Sequence, residues 1–139
     1  MIEKMIEMAR EIYNNLGSGF DECVYQKAFE VSLRQAGIKY ENQRIIPIYF
    51  KGFNIGDSKL DLVVHSTNES VVLELKAIGS SLSAKEETQL KKYMECSNIT
   101  KGLLINFPQV GRKNNTNEIE VVSIPLDLSP TLSHQNLPL

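Results

Sequence analysis

The sequence predicts an α/β sandwich, a mixed β-sheet with helices packed on both faces. Three observations carry that expectation. Two stretches of helical periodicity come first, and a run of strands follows them. A third helix, with its own cap, is set between two later strands. One of those strands, "KGLLINF" at 101–107, is near-continuously apolar, as a strand covered on both faces would be.

The elements follow in order. Ile2, Met5, Ile6, Ala9, Ile12 and Tyr13 recur at helical spacing across residues 2–15. "GSG" at 17–19 ends that helix. A second helix is expected from Asp21 to Ala36, with acidic residues in its first turn and Gly37 as its stop. "RIIPIYF" at 44–50 reads as a strand, and Pro47 marks it as an edge or a bulge. Lys51 and Gly52 supply a turn. A short strand near 53–55 leads into a strand around Asp61. "STNES" at 66–70 turns the chain into a strand around Glu74. Ser83 and Glu86 have capping-box spacing for a helix that runs to about Cys96. "PQVGRKNNTN" is a loop, and "EIEVVSI" alternates as a final strand. Residues 1–124 are read as one domain. Residues 125–139, with three prolines and little charge, are read as a C-terminal extension.

Composition excludes several classes. A chain of 139 residues suits one domain with a real core. Its formal net charge is −2, so a nucleic-acid site would have to be a local patch. Cys23 and Cys96 make neither a disulfide framework nor a zinc spacing, and free thiols fit a reducing compartment. The start, "MIEKMIEMAR", is not a signal peptide. No apolar run reaches the roughly 20 residues of a membrane helix. The expectation is a soluble, intracellular, cytoplasmic protein without membrane contact.

Charge in two apolar runs is what points to chemistry. "VVLELKAIG" carries Glu74 and Lys76, and "KLDLVVH" carries Asp61. Buried charge costs several kcal/mol unless it is paired, solvated or metal-bound. Strand alternation puts Glu74 and Lys76 on one side, and a hairpin could set Asp61 across from either. Two carboxylates in one place repel, and a divalent cation removes that repulsion. A bound metal also lowers the pKa of its water, and an ammonium can orient that water. The plainer reading is a buried ion pair that only holds the sheet together.

Asp61 followed by Glu74-Leu75-Lys76 resembles the D-x(n)-E-x-K signature of the PD-(D/E)XK nuclease superfamily. "GFDECVY" contains Gly19-x-x-Glu22-x-x-Tyr25, which resembles the motif naming the GxxExxY family within it. "GLLINF" resembles that family's late buried strand. Gln89 and Tyr93 in "QLKKY" resemble the Q-h-x-x-Y motif of RecB-type nucleases. The resemblance covers residues 1–124 and implies a restriction-endonuclease-like three-layer sandwich. It further implies a metal-dependent nuclease that hydrolyses phosphodiester bonds of DNA by metal-activated water.

Under the resemblance, Glu22, Asp61 and Glu74 hold Mg²⁺ or Mn²⁺, with the carbonyl of Leu75 as a further ligand. Lys76 orients or activates the water. Gln89 and Tyr93, four apart on one helix face, position the site or the substrate phosphate. Two positions depart from the pattern: Leu60 stands where Pro is common, and Glu86 where relatives carry His. Tyr25 by itself reads as core packing, and Glu22 alone would favour a helix N-terminus. His65 reads as a strand-end surface residue. Lys101, Arg112 and Lys113 read as solvated loop residues, or else a small phosphate patch. The rival function is a non-catalytic nucleic-acid-binding or assembly module on the same fold. A homodimer or protein partner would supply the specificity this small chain lacks.

Overall fold

The computed structural model describes residues 1–109 and 118–126. Helices α1 (Ile2–Leu16) and α2 (Glu22–Gln35) come first. Strands β1 (Lys39–Phe50), β2 (Phe53–His65) and β3 (Ser70–Lys76) form a meander. Helix α3 (Ala84–Ser97), strand β4 (Lys101–Asn106) and strand β5 (Glu120–Pro125) complete the order. The sheet runs β1-β2-β3-β4-β5. All neighbours are antiparallel except β3 and β4, which are parallel and joined through α3. A parallel pair needs such a crossover.

The sheet separates two apolar cores. Met5, Ala9, Ile12, Tyr25, Phe29 and Leu33 of α1 and α2 pack on Leu62, Val64, Leu73, Leu75, Leu103 and Ile105. On the other face Leu90 and Met94 of α3 pack on Leu60, Val63, Val72, Leu104 and Ile124. This is the three-layer, restriction-endonuclease-like α/β fold that the sequence predicted.

Local signals explain most boundaries. Gly37 adopts φ 70° after α2, and the Ile38 amide closes back on the Leu33 carbonyl at 2.9 Å. At α3 both halves of the Ser83–Glu86 capping box are present. The Lys51-Gly52 turn has φ 50° and 80°, the doubly positive pattern of a type I′ hairpin.

Two elements are longer than expected. β1 begins at Lys39 rather than Arg44, because its polar N-terminal half pairs with the buried end of β2. The short strand at 53–55 is continuous with the strand of Asp61. β5 runs through Pro125, where the extension was expected to start, and the Leu126 amide bonds the Thr100 carbonyl at 2.8 Å. The rest of that extension lies outside the described residues, as do most of the 108–117 loop and its Arg112 and Lys113. Among the described residues no helix is long and apolar enough to cross a membrane.

Candidate functional site

The β2–β3 ladder pairs His65 with Ser70 through Leu62 with Leu73, and then stops. The next residues on the two strands are Asp61 and Glu74. Their carboxylates take over from the ladder. The Leu75 amide donates to Asp61 Oδ2 at 2.9 Å, and the Asp61 amide donates to Glu74 Oε1 at 3.2 Å. Buried backbone amides need acceptors, and here the two acids supply them.

The same point is irregular on the β1 side. The register passes from Asn42–Leu62 to Arg44–Leu60, leaving Gln43 and Asp61 out of the pairing. Gln43 has φ 53°, unusual for a residue with a side chain. Leu62 belongs to the α1–α2 core but Leu60 to the α3 core. Strict alternation would put them on one face, so β2 turns over at Asp61.

Helix α2 supports this seam. Gln26 donates to the Asp61 carbonyl at 3.3 Å and accepts from Gln43 at 3.3 Å. Glu22 lies one turn earlier, half-buried at the start of the helix. Burial raises the Glu22 carboxyl above its ordinary range, Asp61 raises it further, and Lys76 opposes both. Burial also raises Asp61, against the Leu75 amide and Lys76. Glu74 is pushed up to about 8, by burial first and by the charge of Asp61 next, with Glu22 adding to the rise. Three carboxylates and the Lys76 ammonium therefore lie within electrostatic reach of one another.

The donor set can be tested against a divalent cation. Asp61 Oδ1 and Glu74 Oε2 receive no hydrogen bond from the described residues. Burial raises Glu74 most, and the part of the rise that comes from Asp61 and Glu22 is what a cation would relieve. The arrangement, however, is not a closed shell. Among the described residues no group of three or more Asp, Glu, His or Cys side chains is set to hold an ion. One oxygen of each strand carboxylate is committed to a backbone amide, and the acids repel. The residues fit a cation in chemistry and charge, although their arrangement does not close around one.

The two α3 candidates bond to each other rather than to the acids. Gln89 donates to the Tyr93 hydroxyl at 3.0 Å, and the structure records no hydrogen bond from either to Asp61 or Glu74. Tyr93 rests against the α3 core. It is Glu86 of α3 that feels Lys76, although its low carboxyl pKa comes mainly from Ser83. Of the GxxExxY residues, Gly19 has φ 113° in the turn and Glu22 joins the cluster. Tyr25 is core. Its ring stacks on Phe107 at 4.5 Å and its hydroxyl donates to the Gly17 carbonyl at 2.6 Å.

His65 is a strand-end residue as expected, but an engaged one, bonded to Ser70 at 2.8 Å and Glu41 at 2.5 Å. Lys101 is paired with Glu69. Lys91 and Lys92 are exposed.

Two contributors escaped the sequence reading. Gln26 has a usable signal, since it lies four residues after Glu22 on one helix face. Asn106 has almost none, being one polar letter at the end of an apolar strand. It is fully buried opposite Lys76, and its Oδ1 accepts from the Ile78 amide at 3.0 Å. Its amide group donates to Glu120 at 3.3 Å, and Glu120 accepts from the Leu82 amide at 3.0–3.1 Å. Together they shape the segment between Lys76 and α3.

Comparison with known proteins agrees with this architecture. No curated protein matches the sequence. The crystal structure of SSO0001 superposes with a TM-score of 0.53 at 20% identity, covering 78% of this chain and 52% of that one. At that identity the likeness is one of fold, and the chain spans about half of that structure's length. The profile of the PD-(D/E)XK nuclease superfamily matches residues 1–119, from α1 to the threshold of β5. A match of that extent, on a sheet interrupted at Asp61 and Glu74, makes the chain a member of the PD-(D/E)XK nuclease superfamily.

Proposed function

We propose that this protein is a metal-dependent nuclease that hydrolyses phosphodiester bonds of DNA. One observation carries the reading. Carboxylates from two strands and a helix meet one ammonium where β2 and β3 part. Asp61, Glu74 and Glu22, with the Leu75 carbonyl, would hold Mg²⁺ or Mn²⁺. The ion, when bound, would supply a water of lowered pKa and neutralise charge on the phosphoryl oxygen. Lys76 has no acceptor lone pair and cannot be a ligand. Two residues from Glu74, it would orient the attacking water and stabilise the charge that develops on phosphate. Gln89 and Tyr93 would contact the substrate backbone from α3. Gly19, Glu22 and Tyr25 support placement in the GxxExxY family. A homodimer or protein partner would supply specificity.

A second reading is favoured by the carboxylate geometry: a non-catalytic nucleic-acid-binding or assembly module in which the acids only brace the strands. Lys76→Ala separates the two. A folded, metal-binding protein with cleavage reduced roughly 10²–10³-fold is the nuclease result. A wild type inactive on single-stranded, double-stranded and branched substrates, with a mutant destabilised by roughly 3–5 kcal/mol, is the module result.

A further inference from the structure

The β1–β2 hairpin extends well past the sheet that anchors it. β3 pairs only with residues 62–65 of β2, while β1 and β2 continue to their turn at Lys51-Gly52. The outer part carries large apolar side chains in solvent. Tyr49 is 63%, Phe50 59%, Phe53 74% and Ile55 65% exposed. Phe50 and Phe53 face each other across the turn, and the Lys51 ammonium lies 5.3 Å from the Phe50 ring centroid. Arg44 is paired with Glu41, and between residues 45 and 60 the charged side chains are Lys51 and Lys59 against a single acid, Asp57. That local positive balance stands on a chain of net charge −2.

We propose that this hairpin tip is a docking surface for single-stranded DNA, with unpaired bases stacking on Phe50 and Phe53 and phosphate drawn to Lys51. The proposal rests on the nuclease reading and adds the form of the substrate. Aromatic rings beside a cation are the chemistry that holds single strands, because every base has a face to stack. The location is continuous with the candidate site, since β2 carries both Phe53 and Asp61. Eight residues separate them, about 27 Å at the rise of a strand.

A second copy of the chain adding to this edge is the rival occupant. The edge is poorly made for it. Pro47 lacks an amide hydrogen, and the register shifts between Ile48 and Tyr49.

The test is fluorescence anisotropy of labelled single-stranded and blunt duplex DNA in chelator, where no cleavage intervenes. Full-length wild type is compared with Phe50→Ala/Phe53→Ala, Phe53→Trp and Lys51→Asn. The double variant should bind single strands at least about 30-fold more weakly, since two rings are lost and each stacked base contributes about 1–3 kcal/mol. Phe53→Trp should retain binding. Lys51→Asn, which keeps a favoured turn, should lower the salt slope by about one. Duplex binding should change little.

Unchanged single-strand binding by the double variant overturns the proposal, as does equal loss on duplex. Failure of the wild type to bind single strands also overturns it. A wild-type dimer that becomes monomeric in the double variant overturns it too, assigning the surface to a second copy. Tip-dependent binding by a wild type that cleaves nothing leaves the docking surface standing and rejects the nuclease.

Discussion

Replacing Glu74 by glutamine should stabilise the metal-free protein at neutral and alkaline pH. The carboxyl of Glu74 is raised from 4.5 to about 8 by burial and by the charges of Asp61 and Glu22. A carboxyl raised in the folded state contributes stability below its unfolded pKa, which is lost as pH rises through its folded pKa. The window is therefore about pH 4.5 to 8. At 1.36 kcal/mol per unit, the loss by pH 7 is about 3 kcal/mol relative to acid, and about 5 kcal/mol above pH 8. Glutamine carries no charge, and its oxygen can still accept from the Asp61 amide at the 3.2 Å position. Its new amide hydrogens need partners, which offsets part of the gain.

The expected net stabilisation is about 1–3 kcal/mol at pH 8 and below about 1 kcal/mol at pH 5. Urea denaturation in chelator across that range measures it. Saturating Mg²⁺ should reverse the order, since an ion at a thousand times its Kd adds about 4.1 kcal/mol to the wild type. Wild-type stability that does not fall between pH 5 and 8, or a glutamine variant less stable at pH 8, would refute the reasoning.

Asp61→Asn should remain folded, because its side-chain oxygen can still receive the Leu75 amide, while calorimetry registers much weaker Mg²⁺ or Mn²⁺ binding. Gly102→Ala would bring a Cβ to 2.6 Å from Met94 Sδ and 3.4 Å from Leu90 Cδ2. The expected cost is about 1–3 kcal/mol, read as a lowered melting temperature and relieved when Met94 is also shortened. Ser83→Ala removes one half of the α3 capping box and should cost about 1 kcal/mol in a thermal or urea melt.

The fold was legible because its signals are local and redundant. Helical spacing, the Ser83–Glu86 box, Gly37 and Lys51-Gly52 each describe a few neighbouring residues, and all agree. The polar first half of β1 was not legible, since only its pairing with Leu62 to His65 makes it a strand. At the site, buried charge in apolar runs marked Asp61, Glu74 and Lys76. Strict alternation holds in β3, where Leu73 and Leu75 face one core and Val72 the other, but it was the wrong guide at Asp61. β2 turns over at Asp61, and the acids meet through backbone amides rather than as neighbours on a regular ladder. Gln89 and Tyr93 came from a motif resemblance alone, and the structure pairs them with each other.

The exchange of amides and carboxylates across the β2–β3 seam has a consequence for descent. Asp61 and Glu74 hold two strands together where the ladder fails, whatever else they do. Selection for a folded chain alone therefore preserves an acceptor oxygen at each position, which Asn and Gln also supply, and not the charge. In a lineage relaxed from catalysis the two acids should drift to their amides, and Lys76 is then left with less charge to balance. Persistence of both carboxylates with Lys76 beside them is the mark of a working enzyme among relatives of this chain.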